Sequence, residues 1–327
     1  MLNFLKGNVI FLSSLVLIFI VIYLVSKSTS NLRIIYLLNT EKRIVTEYIK
    51  DKMLELNIGP KHIPGKPHRI PFVIYRTWKN NNLNEQFKHA WETTDKNNPE
   101  FKQILYTDVD VNNFINEFKY PGLKEAYNRI NPRFGAARAD LFRYAILFRY
   151  GGFYMDIKSY PNCSIKDKLG NNDSFLLSKW QGMKYRGDAD VFGTEGHIFA
   201  EKGGEWEQYW LACESNHPIM KAILDKCITN INYPNTNRLL TSLRSGIYSP
   251  HEIFITTGPI MMTIVIDEFI TYNPQFDDFT ITRPGFYGCI LYSGDSNFDF
   301  KRGHHGAYNN INEKHYSRVN EPLLLSY

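Results

Sequence analysis

The chain has 327 residues, 43% of them hydrophobic and 22% charged, which is enough for one large α/β domain with a full core. A formal net charge of +5 without a concentrated Lys/Arg tract argues against a nucleic-acid protein, while a site for anionic diphosphates would tolerate it. Four scattered cysteines, Cys163, Cys213, Cys227 and Cys289, show no CxxC spacing, so zinc binding has no support. One or two disulfides or four buried thiols both fit this pattern, and the sequence does not give the pairing.

Residues 1–6 form a short tail. From Gly7 to Ser26 there is no charge, and at 1.5 Å per residue this run reaches roughly 30 Å, the hydrocarbon thickness of a bilayer. It is longer than the ~7–15 apolar residues of a signal peptide and no small-residue cleavage site follows, so residues 7–26 are expected to be a permanent signal-anchor. A six-residue tail favours a type II orientation with the domain facing an ER or Golgi lumen, or outward from the plasma membrane if the source is bacterial. Sequons at Asn162 and Asn172 agree with a lumenal domain. Residues 27–66 are polar and run into the Pro- and Gly-rich HIPGKPHRIP, His62 to Pro71, the composition of a stem.

Phe72 to Trp78, FVIYRTW, is a short β-prone apolar run and the expected first strand. A helix is expected over Asn84 to Thr93, a second strand over Phe101 to Thr107, and a helix near Val111 to Phe118. This alternation implies a doubly wound sheet with a partly parallel core over residues 67–327. There is no internal repeat, Walker A loop, GxGxxG, HExxH or GxSxG.

The most informative stretch is PRFGAARADLFRYAILFRYGGFYMDIKSYP, Pro132 to Pro161. Ala137, Leu141, Tyr144, Ala145 and Phe148 fall on one helical face, with Arg138 and Asp140 off it. Arg143 lies three residues past Asp140, within ion-pair reach. Gly151 and Gly152 stop the helix, and FYMDI follows as a buried strand. Asp156 then stands at the carboxyl end of a strand, where open α/β sheets gather ligands. A carboxylate after an apolar run needs a partner or a cation.

The run R-A-D-L-x-R-Y followed by Y-G-G-x-Y-x-D resembles the signature of glycosyltransferase family 32. IPFVIYRTWK at Ile70 to Lys79 resembles that family's opening IPKIIHQTWK, and NPEFKQILYTDVD resembles its next landmark. Asn216-His217-Pro218 and Thr257-Gly258-Pro259 resemble the later ones, so residues 67 to 305 follow the family order. The resemblance implies a GT-A type, Rossmann-like doubly wound mixed sheet, a nucleoside-diphosphate sugar donor, Mn²⁺ or Mg²⁺, and retention of anomeric configuration. The donor is GDP-mannose or a UDP-sugar, and the acceptor a glycan, glycolipid or protein. Homo- or hetero-oligomerisation stays open.

By position, Asp156 matches the first acid of the family's D-x-D, and Arg138 and Asp140 match residues expected to hold the donor. The resemblance gives Asp156, Lys158 and Asp140 as catalytic residues. Arg138, Asp140, Arg143, Tyr75, Trp78 and Gly152 are expected to bind the donor, and Asp156 with His305 to hold the metal. Lys158 replaces the family's second acid, where it could neutralise the diphosphate as a point charge and leave Asp156 alone with a weaker metal. Asp108/Asp110 reads as structural or nucleotide-adjacent, and Asp188/Asp190 as a solvated loop pair. His304 and His305 are either a metal-side pair or a surface pair; His217 reads as a structural turn residue. Two rivals remain: a non-catalytic membrane protein that keeps the nucleotide-sugar fold, and a glycoside hydrolase, which would need paired carboxylates.

Overall fold

The computed structural model describes residues 67–179, 205–234, 250–292 and 321–325. The expected anchor and stem, residues 7–66, lie outside these, as do Asp188, Asp190, His304, His305 and His315.

The first strand, β1 (Val73–Thr77), leads through α1 (Glu85–Asn97) to β2 (Lys102–Tyr106), which pairs parallel with β1. Asn84 caps α1 by accepting the Phe87 amide at 2.9 Å. Next comes α2 (Asp108–Glu117), opened by a capping box: Asp110 accepts the Thr107 N–H at 2.9 Å and Thr107 accepts the Asp110 N–H at 3.3 Å. These hydrogen bonds from Thr107 hold the Asp110 carboxyl below its usual range. The literal D-x-D at Asp108/Asp110 is therefore a helix start.

After α3 (Leu123–Arg129), the central helix α4 (Gly135–Tyr150) ends at Gly151 and turns into β3 (Gly152–Met155). Then β4 (Tyr160–Pro161), β5 (Phe175–Ser178) and β6 (Trp210–Cys213) precede α5 (Pro218–Asn232), α6 (Pro250–Thr256) and α7 (Pro259–Tyr272). Two last strands, β7 (Thr280–Thr282) and β8 (Ile290–Leu291), close the order.

The six-stranded sheet runs β2-β1-β3-β6-β5-β7, with β4 and β8 pairing apart from it. Strands β1 and β3 are parallel while β6 runs antiparallel to both β3 and β5, so the sheet is mixed. Alternation along its strands feeds two cores. Tyr154, Leu211, Cys213, Phe175 and Leu177 face a layer that includes α4, α5 and α7. Phe153, Met155, Trp210, Ala212 and Leu176 pack on the other side with Ile165, Leu169 and Phe286.

Helix α4 departs from the expected single stripe. Asp140, Phe142, Arg143, Ile146 and Leu147 are buried as fully as Ala137, Leu141, Tyr144 and Ala145, because the helix lies between the sheet and α5. His217 serves as the N-cap of α5: Nδ1 accepts the Ile219 amide and Nε2 lies 2.9 Å from the Asp278 carbonyl, in keeping with a structural turn residue. Glu252–Tyr272, which spans α6 and α7, is apolar and long enough to cross a membrane but is 67% buried within the domain, as a core segment would be.

A disulfide joins Cys163 to Cys289 across 126 residues, while Cys213 and Cys227 are buried thiols. Just before Cys289, Gly285, Phe286, Tyr287 and Gly288 all take positive φ, a left-handed turn that costs roughly 1–2 kcal/mol at each non-glycine residue. Phe286, fully buried against Trp210, and the Glu207 carboxylate, which accepts the Gly285 N–H at 2.9 Å, hold the turn in place. It sets β8 beside β4.

Candidate active site

Strand β1 has its sequence successor β2 on one side and β3 on the other, so the strand order reverses between β1 and β3. A crevice opens beyond the carboxyl ends of strands at such a switch point. Here those ends carry Trp78 and Asp156.

Helix α4 and strand β3 bring the charged groups level. Arg143 lies eight residues before Gly151, about 12 Å along a helix, and Asp156 five residues after it, about 16 Å along a strand. The reversal between them needs glycine: at Gly151 φ is +67° and an added Cβ would stand 2.6 Å from the Ser215 nitrogen.

One guanidinium nitrogen, Arg143 Nη2, lies 3.1 Å from Asp140 Oδ1 and 3.2 Å from Asp156 Oδ1. The other terminal nitrogen, Nη1, donates to the Gln208 carbonyl at 2.6 Å, and the guanidinium stacks 4.5 Å from the Tyr154 ring centre. Tyr154 in turn shares a 2.9 Å hydrogen bond with Thr77. Thr257 donates its hydroxyl to Asp140 Oδ2 at 2.8 Å, and its own carbonyl accepts from Tyr144 at 2.8 Å. Burial pushes the Asp140 carboxyl up to about 6, against the pull of Arg143 and Thr257. Burial alone would lower Arg143, but Tyr154, Asp156 and Asp140 outweigh it and hold the guanidinium above its ordinary value. The Asp156 side chain is 25% exposed and forms the solvent-facing end of this row.

Beneath the loop that follows β3 lies Arg76, fully buried. Its Nη1 donates to the carbonyls of Asp156 at 2.9 Å and Ser159 at 2.6 Å, Nη2 to Thr94 at 3.0 Å, and Nε to Gln103 at 2.9 Å. Burial lowers its pKa to about 10, which still leaves it charged at neutral pH. Lys158 is also buried, its ammonium 4.2 Å from the Tyr292 ring centre. Tyr292 is set there by β8.

The remaining expected residues separate into two groups. Trp78 lines a cavity of about 290 Å³ with Lys79, Asn80, Asn82 and Asn84, and its ring packs on Phe87 beside Ile157, next to Asp156. Arg138 belongs elsewhere: its guanidinium donates to the Ile130 carbonyl at 3.1 and 3.3 Å and lies over Tyr127. Tyr75 points into the core beside Tyr106, where burial pushes its phenol up to about 12. Strand alternation gives the cleft side of that face to Thr77 instead. Gly152 sits at the far end of β3 from Asp156, where an added Cβ would stand 2.8 Å from the Val73 carbonyl. Its role is strand packing. Asp140 has both oxygens engaged, so it acts on Arg143.

Arg76, Gln208, Thr257 and Tyr292 join the site without having been expected from local pattern. Only Thr257 carried a signal, as part of the TGP landmark.

The expected divalent ion does not fit the donor set at Asp156. Hard cations take six or more oxygens, carboxylates above all. Asp156 Oδ1 is paired with Arg143, and the Asp156 and Ser159 carbonyls both accept from Arg76. Among the described residues no three His, Cys, Asp or Glu side chains gather as a metal would require. His305, the second expected ligand, lies outside them.

Residues 84–176, which hold α4, β3 and Asp156, match the glycosyltransferase sugar-binding region containing DXD motif. Over this region the chain is similar to family-32-type glycosyltransferases. Mannosyl phosphorylinositol ceramide synthase of Saccharomyces cerevisiae is 34% identical over 113 residues, 35% of this chain and 28% of that protein. The initiation-specific α-1,6-mannosyltransferase of Candida albicans is 24% identical over 208 residues, 62% of this chain and 53% of that protein. The chain thus spans about a quarter to a half of these relatives. Among solved structures, the PaToxG glycosyltransferase overlaps 73% of this chain and 84% of its own at 15% identity, with a TM-score of 0.40, too loose a match to add to the case.

Proposed function

We propose that the chain transfers a hexose from a nucleoside-diphosphate sugar to an acceptor hydroxyl, with retention at the anomeric carbon, on a GT-A type sheet. The carrying observation is the Asp140–Arg143–Asp156 row at the switch point, inside the matched sugar-binding region. A carboxylate and a guanidinium held side by side offer an acceptor and donors to neighbouring sugar hydroxyls. In the reaction the bond from the anomeric carbon to the bridging phosphate oxygen breaks and the acceptor oxygen bonds to that carbon. The acceptor proton goes to the departing phosphate. Negative charge grows on that phosphate, and fixed cations in a water-poor cleft stabilise it. Arg143 and Lys158 supply them here. The cavity at Trp78 takes the flat base of the nucleotide.

Both relatives carry mannosyl in their names, so GDP-mannose is the first donor to try, with a glycolipid, glycan or protein acceptor. The charge-free residues 7–26 anchor the domain on the lumenal side as a type II protein; resistance of the full chain to alkaline carbonate extraction, lost on deleting 7–26, tests this.

The hydrolase alternative is weakened because the two carboxylates share one guanidinium and one of them is buried. The test is nucleotide release by the full chain in detergent, over a panel of GDP- and UDP-sugars with a mixed glycan and lipid acceptor pool. Release from one donor, cut by about 100-fold or more in Asp156→Asn, supports transfer. Donor binding without release would establish the non-catalytic reading, which Lys158 in place of an acid keeps in view.

A further inference from the structure

Several oxygens that would surround a cation at the end of β3 are already engaged by arginines, three carbonyls by hydrogen bonds and one Asp156 carboxylate oxygen by an ion pair. Arg143 takes one Asp156 carboxylate oxygen and the Gln208 carbonyl; Arg76 takes the carbonyls of Asp156 and Ser159. At the position two residues past Asp156 the chain carries an ammonium group. Two cations, Arg143 and Lys158, thus stand at the end of β3 beside Asp156, with Arg76 holding the loop backbone from beneath and Asp140 behind Arg143. A divalent ion would meet repulsion from Arg143 and Lys158 and find one Asp156 oxygen already paired, whereas a diphosphate would be drawn by both cations. Arg143 also keeps a buried Nε–H without an acceptor, a donor suited to an anionic or hydroxyl-bearing ligand.

We propose that this site neutralises the donor's diphosphate with protein cations, Lys158 foremost and Arg143 beside it, and binds the nucleotide without a divalent ion. The inference rests on the nucleotide-sugar reading above and specifies how that donor is held. Lysine suits the task as a compact point charge, and Tyr292 keeps its ammonium over the loop through a cation–π contact. Arg76 fixes the loop backbone from below, so the charges are in place before the ligand arrives.

The experiment measures GDP and UDP binding to the full chain in detergent by calorimetry, once with excess EDTA and once with excess MnCl₂. Wild type is expected to bind one of the two nucleotides with the same affinity, within about threefold, in both conditions. Lys158→Asp rebuilds the second acid and should lose more than about tenfold in EDTA, recovering when Mn²⁺ is added. Protein-bound Mn²⁺, read by electron paramagnetic resonance with nucleotide present, should appear in Lys158→Asp and not in wild type. Lys158→Met, with unfolding temperatures compared across all three proteins, separates loss of charge from loss of fold. Binding by wild type only when Mn²⁺ is present, or a bound-Mn²⁺ signal on wild type, overturns the inference and leaves the transferase reading standing. Absence of binding by either nucleotide in both conditions overturns both.

Discussion

Arg76 shows how much of a site can depend on a residue that never meets substrate. A fully buried guanidinium is costly unless each donor finds an acceptor, and here those acceptors include the two carbonyls that shape the Asp156 loop. Arg76→Met should therefore destabilise the fold by about 3–5 kcal/mol in urea unfolding, and Arg76→Lys should not restore it, because a lysine lacks the planar fork. At Thr257 the dependence is gentler. Thr257→Val keeps the shape but removes the hydroxyl donor to Asp140, and should cost about 1–2 kcal/mol, whereas Thr257→Ser should stay near wild type. Asp140 links this network to pH. Its native carboxyl titrates near 6, above its unfolded value, so the native state holds an extra proton between about pH 4 and 6. The contribution of this group to stability is full below about pH 4 and is lost as pH rises through 6. Donor binding should move the opposite way, weakening below pH 6 as Asp140 loses its charge and its hold on Arg143. Calorimetric titration from pH 5 to 8 checks this, and in Asp140→Asn that step should be absent.

At the scale of elements, α4, its glycine stop and β3 decide whether the row forms. Gly151 is confined by the Ser215 backbone as well as by its left-handed φ, so Gly151→Ala should lower stability by more than about 2 kcal/mol and expose the helix end to proteolysis. These elements were legible because their signals are local: an apolar run of β-prone residues, a helical period, and two glycines marking the reversal. The first and second strands fall within a residue of where pattern puts them, while α2 starts three residues earlier, at the capping box. Two kinds of information were not local. The side of β1 that faces the cleft depends on register with β2 and β3, which is why Tyr75 suggested a ligand and became core. The burial of Asp140 and Arg143 depends on Thr257, Gln208 and Tyr154, which cover what composition suggests is a polar face. Arg76, Gln208 and Tyr292 gave no advance signal because a buried polar residue announces itself only through its partners, and theirs lie far along the chain.

For the whole molecule, the Cys163–Cys289 link closes a loop of 126 residues that holds β5 to β7 and the three helices α5 to α7. Closing a loop of that length restricts the unfolded chain, and its removal is expected to cost about 2–4 kcal/mol. Cys163→Ser with Cys289→Ser, or reduction with dithiothreitol, should lower the unfolding temperature, and β4 and β8 should lose hydrogen-exchange protection before the main sheet does. Cys213 and Cys227, both buried, should resist alkylation until global unfolding.

The row at the heart of the site also sets an order of events during synthesis. Arg143 donates to the Gln208 carbonyl 65 positions later, and Asp140 waits 117 positions for Thr257. While the ribosome is still making α5, the completed α4 already carries an acid and a base that cannot be buried without those later partners. Burial of the charged pair on α4 therefore waits for residues 208 and 257, and the Cys163–Cys289 bond can form only once residue 289 has been made. Chains interrupted before residue 257 are expected to leave α4 open to labelling.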